Sequence, residues 1–255
     1  MAADLRVLRD GKWPQALAEA LRAAPGDCWQ WIATHGRVIK LDSYSCAALI
    51  ELRGQSCFVK LYRPRGRLHR WLLGTAQGRP LRSQKAAREL LLAGVQVPAP
   101  RGCLRADGGL LTLAEGLVAA EDMQTRWSSA SDAVRRELMS AAAIAMARLH
   151  LAGYCHGDCK WSNLLCKDGQ VYLVDLDAVR SAPVGGRRQL RDLARFTLNA
   201  EELAADSGHY AYFFDVYLAQ LGLARDVISS GMLPQLHKLR ERHRKQYGSS
   251  GHRLW

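Results

Sequence analysis

The sequence has no membrane-length apolar run, no paired-cysteine metal motif and no leader-like opening. Its longest apolar stretch, near Ala141 to Ala147, falls well short of the about 20 residues that cross a bilayer. The seven cysteines, at positions 28, 46, 57, 103, 155, 159 and 166, include no CxxC pair and add to an odd number. That argues against a disulfide framework or a zinc ribbon and suits a reducing cytosol. The opening MAADLRVLRD lacks the basic-then-apolar order of a signal peptide. A cytoplasmic chain is expected, either soluble or resting on a membrane without crossing it. Acidic residues are scarce as well: 24 Asp and Glu against 36 Lys and Arg leave a net charge of +12. Such a balance calls for an anionic partner, whether nucleic acid, a phosphorylated substrate or an acidic membrane surface. No recognisable nucleic-acid module or aromatic stacking motif accompanies the charge, so nucleic acid is not the expected partner. Internal repeats and low-complexity tracts are also missing.

What is present is enough to fold. In 255 residues, a hydrophobic content of 48% can bury a core for one large domain or two small lobes. From Arg37 to Tyr62 the text alternates or runs in β-branched apolar residues, broken at Asp42-Ser43 and Arg53-Gly54, which reads as hairpins. A basic tract follows, and then KAARELLLAGV at helical spacing, stopping at Gly94, with Pro98 and Pro100 beyond it. GGLLTLAEGL reads as a strand running into a connector. The composition then shifts near Leu117, which divides the chain into 1–117 and 118–255. Val134 to His150 carries apolar residues on one helical face; HGDCKWSNLL reads as a loop, QVYLVDLDAV as a strand, and the remainder as helical. The basic segment LPQLHKLRERHRKQYG reads as a solvated last helix, with contact to an acidic surface as its other reading.

Phosphoryl transfer from a nucleotide needs a positioned base for the acceptor hydroxyl, oxygen ligands for magnesium and a cation on the donor phosphates. In His156-Gly157-Asp158-Cys159-Lys160-Trp161-Ser162-Asn163 an Asp precedes an Asn by five residues, and twelve residues later Asp175 ends the apolar run 171–174. A loop and the strand behind it can gather these three side chains. Magnesium prefers carboxylate and amide oxygens, so Asp and Asn suit it and Cys155, Cys159 and Cys166 are bystanders.

HGDCKWSN resembles the catalytic loop H-x-D-x-x-x-x-N of the protein-kinase-like superfamily, and VDLD resembles its metal-binding Asp strand. The resemblance implies that Asp158 orients or deprotonates the acceptor hydroxyl, Lys160 reaches the γ-phosphate, and Asn163 and Asp175 hold magnesium. His156 then braces the loop. Asp175 directly follows the apolar run and is preferred to Asp177 as the ligand; Asp192, in RRQLRDLARF, reads as a helix cap. Lys60, in the strand FVKLY, matches the lysine on the α- and β-phosphates, and Glu89 of the following helix is its ion-pair candidate; the plain readings are a solvent-facing strand lysine and an exposed helical Glu. The phosphate-covering turn falls at Ser43-Tyr44-Ser45, where Ser43 and Ser45 replace the usual G-x-G-x-x-G, and 112–117 is the adenine-side connector.

Together with the Arg- and Trp-rich basic tract, the segments KAARELLLAGVQVPAP, HGDCKWSNLL and VYLVDLDAVR are similar to the bacterial lipopolysaccharide kinase family, from about Arg37 to Phe196. That resemblance implies an α+β, bilobal protein-kinase-like fold: a β-rich lobe carrying the Glu89 helix, a mainly helical lobe, and ATP between them. It also implies ATP and Mg2+ as cofactors and a sugar of the lipopolysaccharide inner core, heptose or Kdo, as acceptor. This lipid-linked partner lies at the cytoplasmic face of an anionic inner membrane, with which the arginine clusters at 63–70 and 79–88 are compatible. A small-molecule phosphotransferase of the aminoglycoside or choline kinase type shares the HGD loop but favours an acidic acceptor pocket. An atypical protein kinase shares every residue named, and a non-catalytic module normally shows a broken set.

Overall fold

The described residues of the computed structural model are 5–9, 11–23, 27–106, 109–248 and 252–255, with Arg9 and Arg67 described by backbone alone. Residues 1–4 and 10 of the opening segment, and the Arg67 side chain of the basic tract, lie outside them. The chain divides into two compact units, Met1–Glu89 with Pro98–Val118, and Leu90–Val97 with Ala119–Trp255.

The first unit runs β1 (Arg6–Arg9), α1 (Lys12–Ala23), α2 (Cys28–His35), β2 (Gly36–Leu41), β3 (Ser45–Leu52), β4 (Gln55–Tyr62), α3 (Arg67–Leu73), α4 (Arg79–Leu92), β5 (Pro100–Ala106) and β6 (Gly109–Glu115). The strands form one antiparallel sheet in the order β1-β5-β6-β4-β3-β2. The break expected at Arg53-Gly54 is a two-residue turn with both φ values positive, 51° and 70°. That conformation matches the twist of the flanking strands and closes the β3–β4 hairpin. Along β4, Cys57, Val59 and Leu61 are buried on one face with Leu17 and Leu21 of α1 and Trp29 and Ile32 of α2. Each such large side chain contributes about 1.5–3 kcal/mol by leaving water. The period of two sends Phe58 and Lys60 to the opposite face. Helix α4 extends the expected KAARELLLAGV segment back to Arg79. It buries Pro80, Gln84, Ala87 and Leu90 along one stripe and is fastened to β6 by the Gln84 amide, which donates to the Leu113 carbonyl at 2.9 Å. At Gly94 a φ of +77° ends it, a left-handed cap that favours glycine.

The second unit continues with β7 (Glu121–Asp122), α5 (Met123–Ser129), α6 (Asp132–Leu151), β8 (Tyr154–Cys155), β9 (Leu164–Lys167), β10 (Gln170–Leu173), β11 (Arg180–Ser181), α7 (Arg187–Glu202), α8 (Ser207–Leu221) and α9 (Arg225–Tyr247). Helix α6 starts at the cap Ser131, whose hydroxyl accepts from the Val134 N–H. Its second half is buried on nearly all sides, from Ala142 to His150 apart from Ile144 and Arg148, and so forms the axis of the unit rather than a one-faced surface helix. A run of rings fills the core around Trp161, which lies edge-on to Trp127 and tilted to Phe196, both at 5.2 Å, while Phe196 stacks on Phe213 at 4.0 Å. The basic last helix keeps most of its charged side chains in solvent, as expected, and packs along one face. It buries Ile228, Met232 and Leu236, and Arg240 forms a bidentate pair with the fully buried carboxylate of Glu201, Nε to Oε2 at 2.9 Å. No described helix is long and apolar enough to cross a membrane.

Candidate active site

The loop between β8 and β9 presents Asp158. Gly157, at φ +83°, permits its sharp entry: a Cβ there would lie 2.7 Å from the Ala178 carbonyl oxygen. The loop is held from beneath by Asp192, a 1%-exposed carboxylate on α7 that accepts the N–H of His156 at Oδ2 (2.5 Å) and of Gly157 at Oδ1 (2.8 Å). Asp192 is therefore not the cap of its helix; it is the sixth residue of α7 and anchors the loop that carries Asp158. His156 is fully buried and both ring nitrogens meet the backbone. Nε2 donates to the Val174 carbonyl (2.9 Å) and Nδ1 accepts from the Asp158 N–H (3.4 Å), so the ring braces the loop against the segment leading to Asp175. At the far end, the Trp161 N–H donates to the Asn199 side-chain carbonyl at 2.9 Å.

Asn163 donates its amide to the Asp158 carbonyl (2.9 Å) and carboxylate (3.3 Å), while its own carbonyl accepts the Val174 N–H (3.0 Å). Asp158 and the residue before Asp175 are thus tied to one asparagine. β10 ends at Leu173, sooner than the apolar run suggested, and Asp175 follows in the left-handed region at φ 58°, ψ 56°. A non-glycine residue there is strained, and such strain gathers at functional positions. Asp177 sits one turn later, in the 3-10 turn Leu176–Ala178. With both amide hydrogens directed at Asp158, Asn163 keeps its Oδ1 for a cation, and Asp175 adds an exposed carboxylate. An amide and a carboxylate suit magnesium, which takes its other ligands from water and phosphate. Among the described residues no group of three His, Cys, Asp or Glu gathers for another metal.

Two cations face Asp158, whose side chain is 39% exposed: Lys160 Nζ at 3.6 Å and Arg195 Nε, from α7, at 3.9 Å. Burial raises the thiols of Cys155, Cys159 and Cys166, the last to about 11, and the Asp192 charge adds to the effect at Cys155 and Cys159. They remain protonated bystanders. Around Asp158 opens a cavity of ≈ 500 Å³ walled by α7 and α9, with Arg191, Arg195, Arg242, His243 and Tyr247 on its lining. The sequence singled out none of these side chains for the site, although Arg242, His243 and Tyr247 lie in the basic segment 233–248.

In the first unit, Lys60 sits on β4 between Ala47 of β3 and Thr112 of β6, its ammonium 5.0 Å from the Tyr62 ring centre. Glu89 lies near the end of α4 and meets Lys85 one turn back at 3.6 Å. The β2–β3 turn is organised by Asp42, which accepts the N–H groups of Tyr44 (2.9 Å) and Ser45 (2.6 Å) and the Ser45 hydroxyl (2.9 Å). These bonds, with Lys40 at 3.1 Å, hold the Asp42 carboxyl well below its usual range. A phosphate at Ser43 and Ser45 would have to take those donors from Asp42.

A family model described as the lipopolysaccharide kinase (Kdo/WaaP) family matches residues 52–217. Among curated proteins nothing matches. Of solved structures, WaaP in complex with acyl carrier protein is 20% identical over 85% of this chain and 92% of its own, with a TM-score of 0.59. The BubR1 kinase domain (14% identity, 57% and 46% covered, TM-score 0.45) and the PknI kinase domain of Mycobacterium tuberculosis (16%, 78% and 94%, 0.45) also match. The fold is the protein-kinase-like one expected from the sequence, a β-sheet lobe and a helical lobe.

Proposed function

The chain belongs to the lipopolysaccharide kinase (Kdo/WaaP) family and is a phosphotransferase, and on that premise we propose that it moves the γ-phosphate of ATP to a heptose or Kdo hydroxyl of the inner core. The observation that carries this reading is the catalytic loop: Asp158 held by Asn163, braced by His156, anchored by Asp192 and faced by two cations. In the proposed step the acceptor hydroxyl oxygen bonds to the γ-phosphorus as the bond to the β-bridging oxygen breaks. The hydroxyl proton passes to Asp158 and ADP leaves. Lys160 stabilises charge on the moving phosphoryl group, and Lys60, oriented by Glu89, meets the α- and β-phosphates. Asn163 and Asp175 would hold magnesium, which when bound neutralises phosphate charge. Ser43 and Ser45 are proposed to cover the phosphates once Asp42 releases their turn.

The arginines around Asp158 favour this reading over a phosphotransferase for cationic small molecules, because Arg191, Arg195 and Arg242 would repel a protonated amine. We also propose peripheral contact with the anionic cytoplasmic face of the inner membrane. Its support is α3, where Leu68 (72% exposed), Trp71 (67%) and Leu72 stand in water beside Arg63, Arg65 and Arg70. The decisive assay is ATP- and magnesium-dependent transfer of labelled phosphate to purified inner-core lipopolysaccharide, beside panels of aminoglycosides and generic protein substrates and an Asp158→Ala control. Transfer to the glycolipid alone, lost in the control, is the expected result; transfer to another panel replaces the acceptor and keeps the chemistry.

A further inference from the structure

We propose that the cavity beside Asp158 is a subsite for an anionic group, a carboxylate or a phosphate, borne by the acceptor close to the hydroxyl that is phosphorylated. The inference deepens the kinase reading and rests on it. The cavity's ≈ 500 Å³ lies within the range of about 300–1,000 Å³ usual for small-ligand pockets. Asp158 is part of its lining, so a ligand that fills it sits beside the proposed base.

The lining sets three arginines against three acids, Asp158, Asp192 and Glu202. Arg191 and Arg195 stand one turn apart on α7, and Arg242 and His243 come from α9. All three acids are already engaged, Asp158 by Lys160 and Arg195. Asp192 spends both oxygens on the His156 and Gly157 N–H groups, and Glu202 meets His243 Nε2 at 2.8 Å and accepts from the Asn199 amide. Arg191 and Arg242, by contrast, make no ion pair or hydrogen bond among the described residues. Arg195 Nε is buried without a hydrogen-bond partner, its nearest acid being Asp158 at 3.9 Å. A buried donor with no acceptor is costly, and guanidinium groups are suited to bidentate binding of carboxylate or phosphate. An anion placed among Arg191, Arg195 and Arg242 satisfies these donors and holds its neighbouring hydroxyl at Asp158. The exposed ring of Tyr247, also on the lining, offers an apolar face against which a sugar can lie.

The test uses the full chain and three acceptors: deacylated inner-core oligosaccharide, the same material dephosphorylated, and the same material with its carboxyls reduced. Arg242→Gln and Arg191→Gln are the variants, both at exposed positions where folding should survive. Acceptor KM and kcat are read in transfer assays, and acceptor Kd by calorimetry without nucleotide. Each variant should raise KM and Kd for the native oligosaccharide by about tenfold, with the KM for ATP changing less than about twofold. The penalty should vanish on one modified acceptor only: on the dephosphorylated form if phosphate is recognised, on the carboxyl-reduced form if carboxylate is. Equal penalties on all three acceptors, no penalty on any, or failure of the wild-type chain to bind any form would overturn the subsite. Absence of transfer, with wild-type binding and the arginine penalty intact, would sink the kinase reading for this acceptor while leaving the subsite standing.

Discussion

Asp192 carries two backbone N–H groups, of which that of buried His156 has no water to turn to, so its removal leaves that donor unpaired at a cost of about 1–3 kcal/mol, while exposed Gly157 can turn to solvent. Asp192→Ala should therefore lower unfolding free energy by about 1–3 kcal/mol and reduce kcat together with it. Asp192→Asn keeps one acceptor oxygen and should recover part of both. Urea melts beside kcat measurements check this, and a destabilised variant with wild-type kcat would show that the loop keeps its shape unaided. At the proposed base itself, Asp158→Ala should cost roughly 10²–10⁴-fold in kcat with nucleotide affinity retained, as expected of a group that handles only the acceptor proton. Asp175→Ala should weaken magnesium-nucleotide binding as well, so titration with a fluorescent nucleotide separates the two roles. Asp158, Asn163 and Asp175 were legible in the sequence because they lie within eighteen residues of one loop and the strand behind it. Asp192 was misread as a cap because its partners lie 35 and 36 residues upstream, a contact no local pattern encodes. Arg195 reaches Asp158 in the same hidden way.

Helices show a similar division between what pattern reveals and what packing adds. α4 follows from apolar spacing and its stop at Gly94, and α6 from apolar spacing alone, its Ser131 cap being visible only in the structure. α9 looks solvated because its charge dominates the text, yet Arg240 closes on Glu201 in the interior. Arg240→Ala strands a buried carboxylate and should destabilise by about 3–5 kcal/mol, whereas Arg240→Met combined with Glu201→Leu should recover most of it. Denaturant unfolding of the singles and the double decides this. At the start of α8, Asp206 caps the helix and pairs with His209, which also reaches the Asp132 carboxylate at 3.4 Å. Burial lowers the His209 pKa, but its hydrogen bonds to Asp206 and Asp132 outweigh it, and the net shift is upward. A raised histidine stabilises fully below its unfolded value of about 6.5, and this is lost as pH rises through the folded value. Asp206 shifts the other way: burial raises it and the His209 bond prevails, so its contribution is lost as pH falls through its lowered folded pKa. The melting-temperature gap between wild type and His209→Gln should shrink from about pH 6 to about pH 9, and a gap that grew would contradict the pairing.

For the molecule as a whole, charge and family give complementary information. The family match covers residues 52–217, from the β3–β4 turn through Asp158, Asn163, Asp175 and Arg195. Helices α1, α2 and α9 lie outside it. The residues proposed for the transfer chemistry therefore fall in the shared part of the chain, while one wall of the proposed acceptor cavity, with Arg242 and His243, is built by a helix beyond that span. Fold and reaction were accordingly readable from motifs, and the acceptor side was not, because its arginines meet only after α7 and α9 pack. A net charge of +12 acts on an anionic acceptor at two ranges. At long range it speeds encounter, and that attraction is screened beyond roughly 8–10 Å at physiological ionic strength. Inside the cavity, contacts at bonding distance lie well within that screening length and are screened less. Raising salt from about 50 to about 500 mM should thus lower kcat/KM for inner-core glycolipid by about tenfold while leaving kcat at saturating acceptor within about twofold. In Arg191→Gln/Arg242→Gln the salt slope should persist at lower overall efficiency, because most of the steering charge lies elsewhere on the surface. A slope abolished by those two changes would place the whole electrostatic effect in the cavity, and a flat wild-type profile would mean that the basic surface serves neither step.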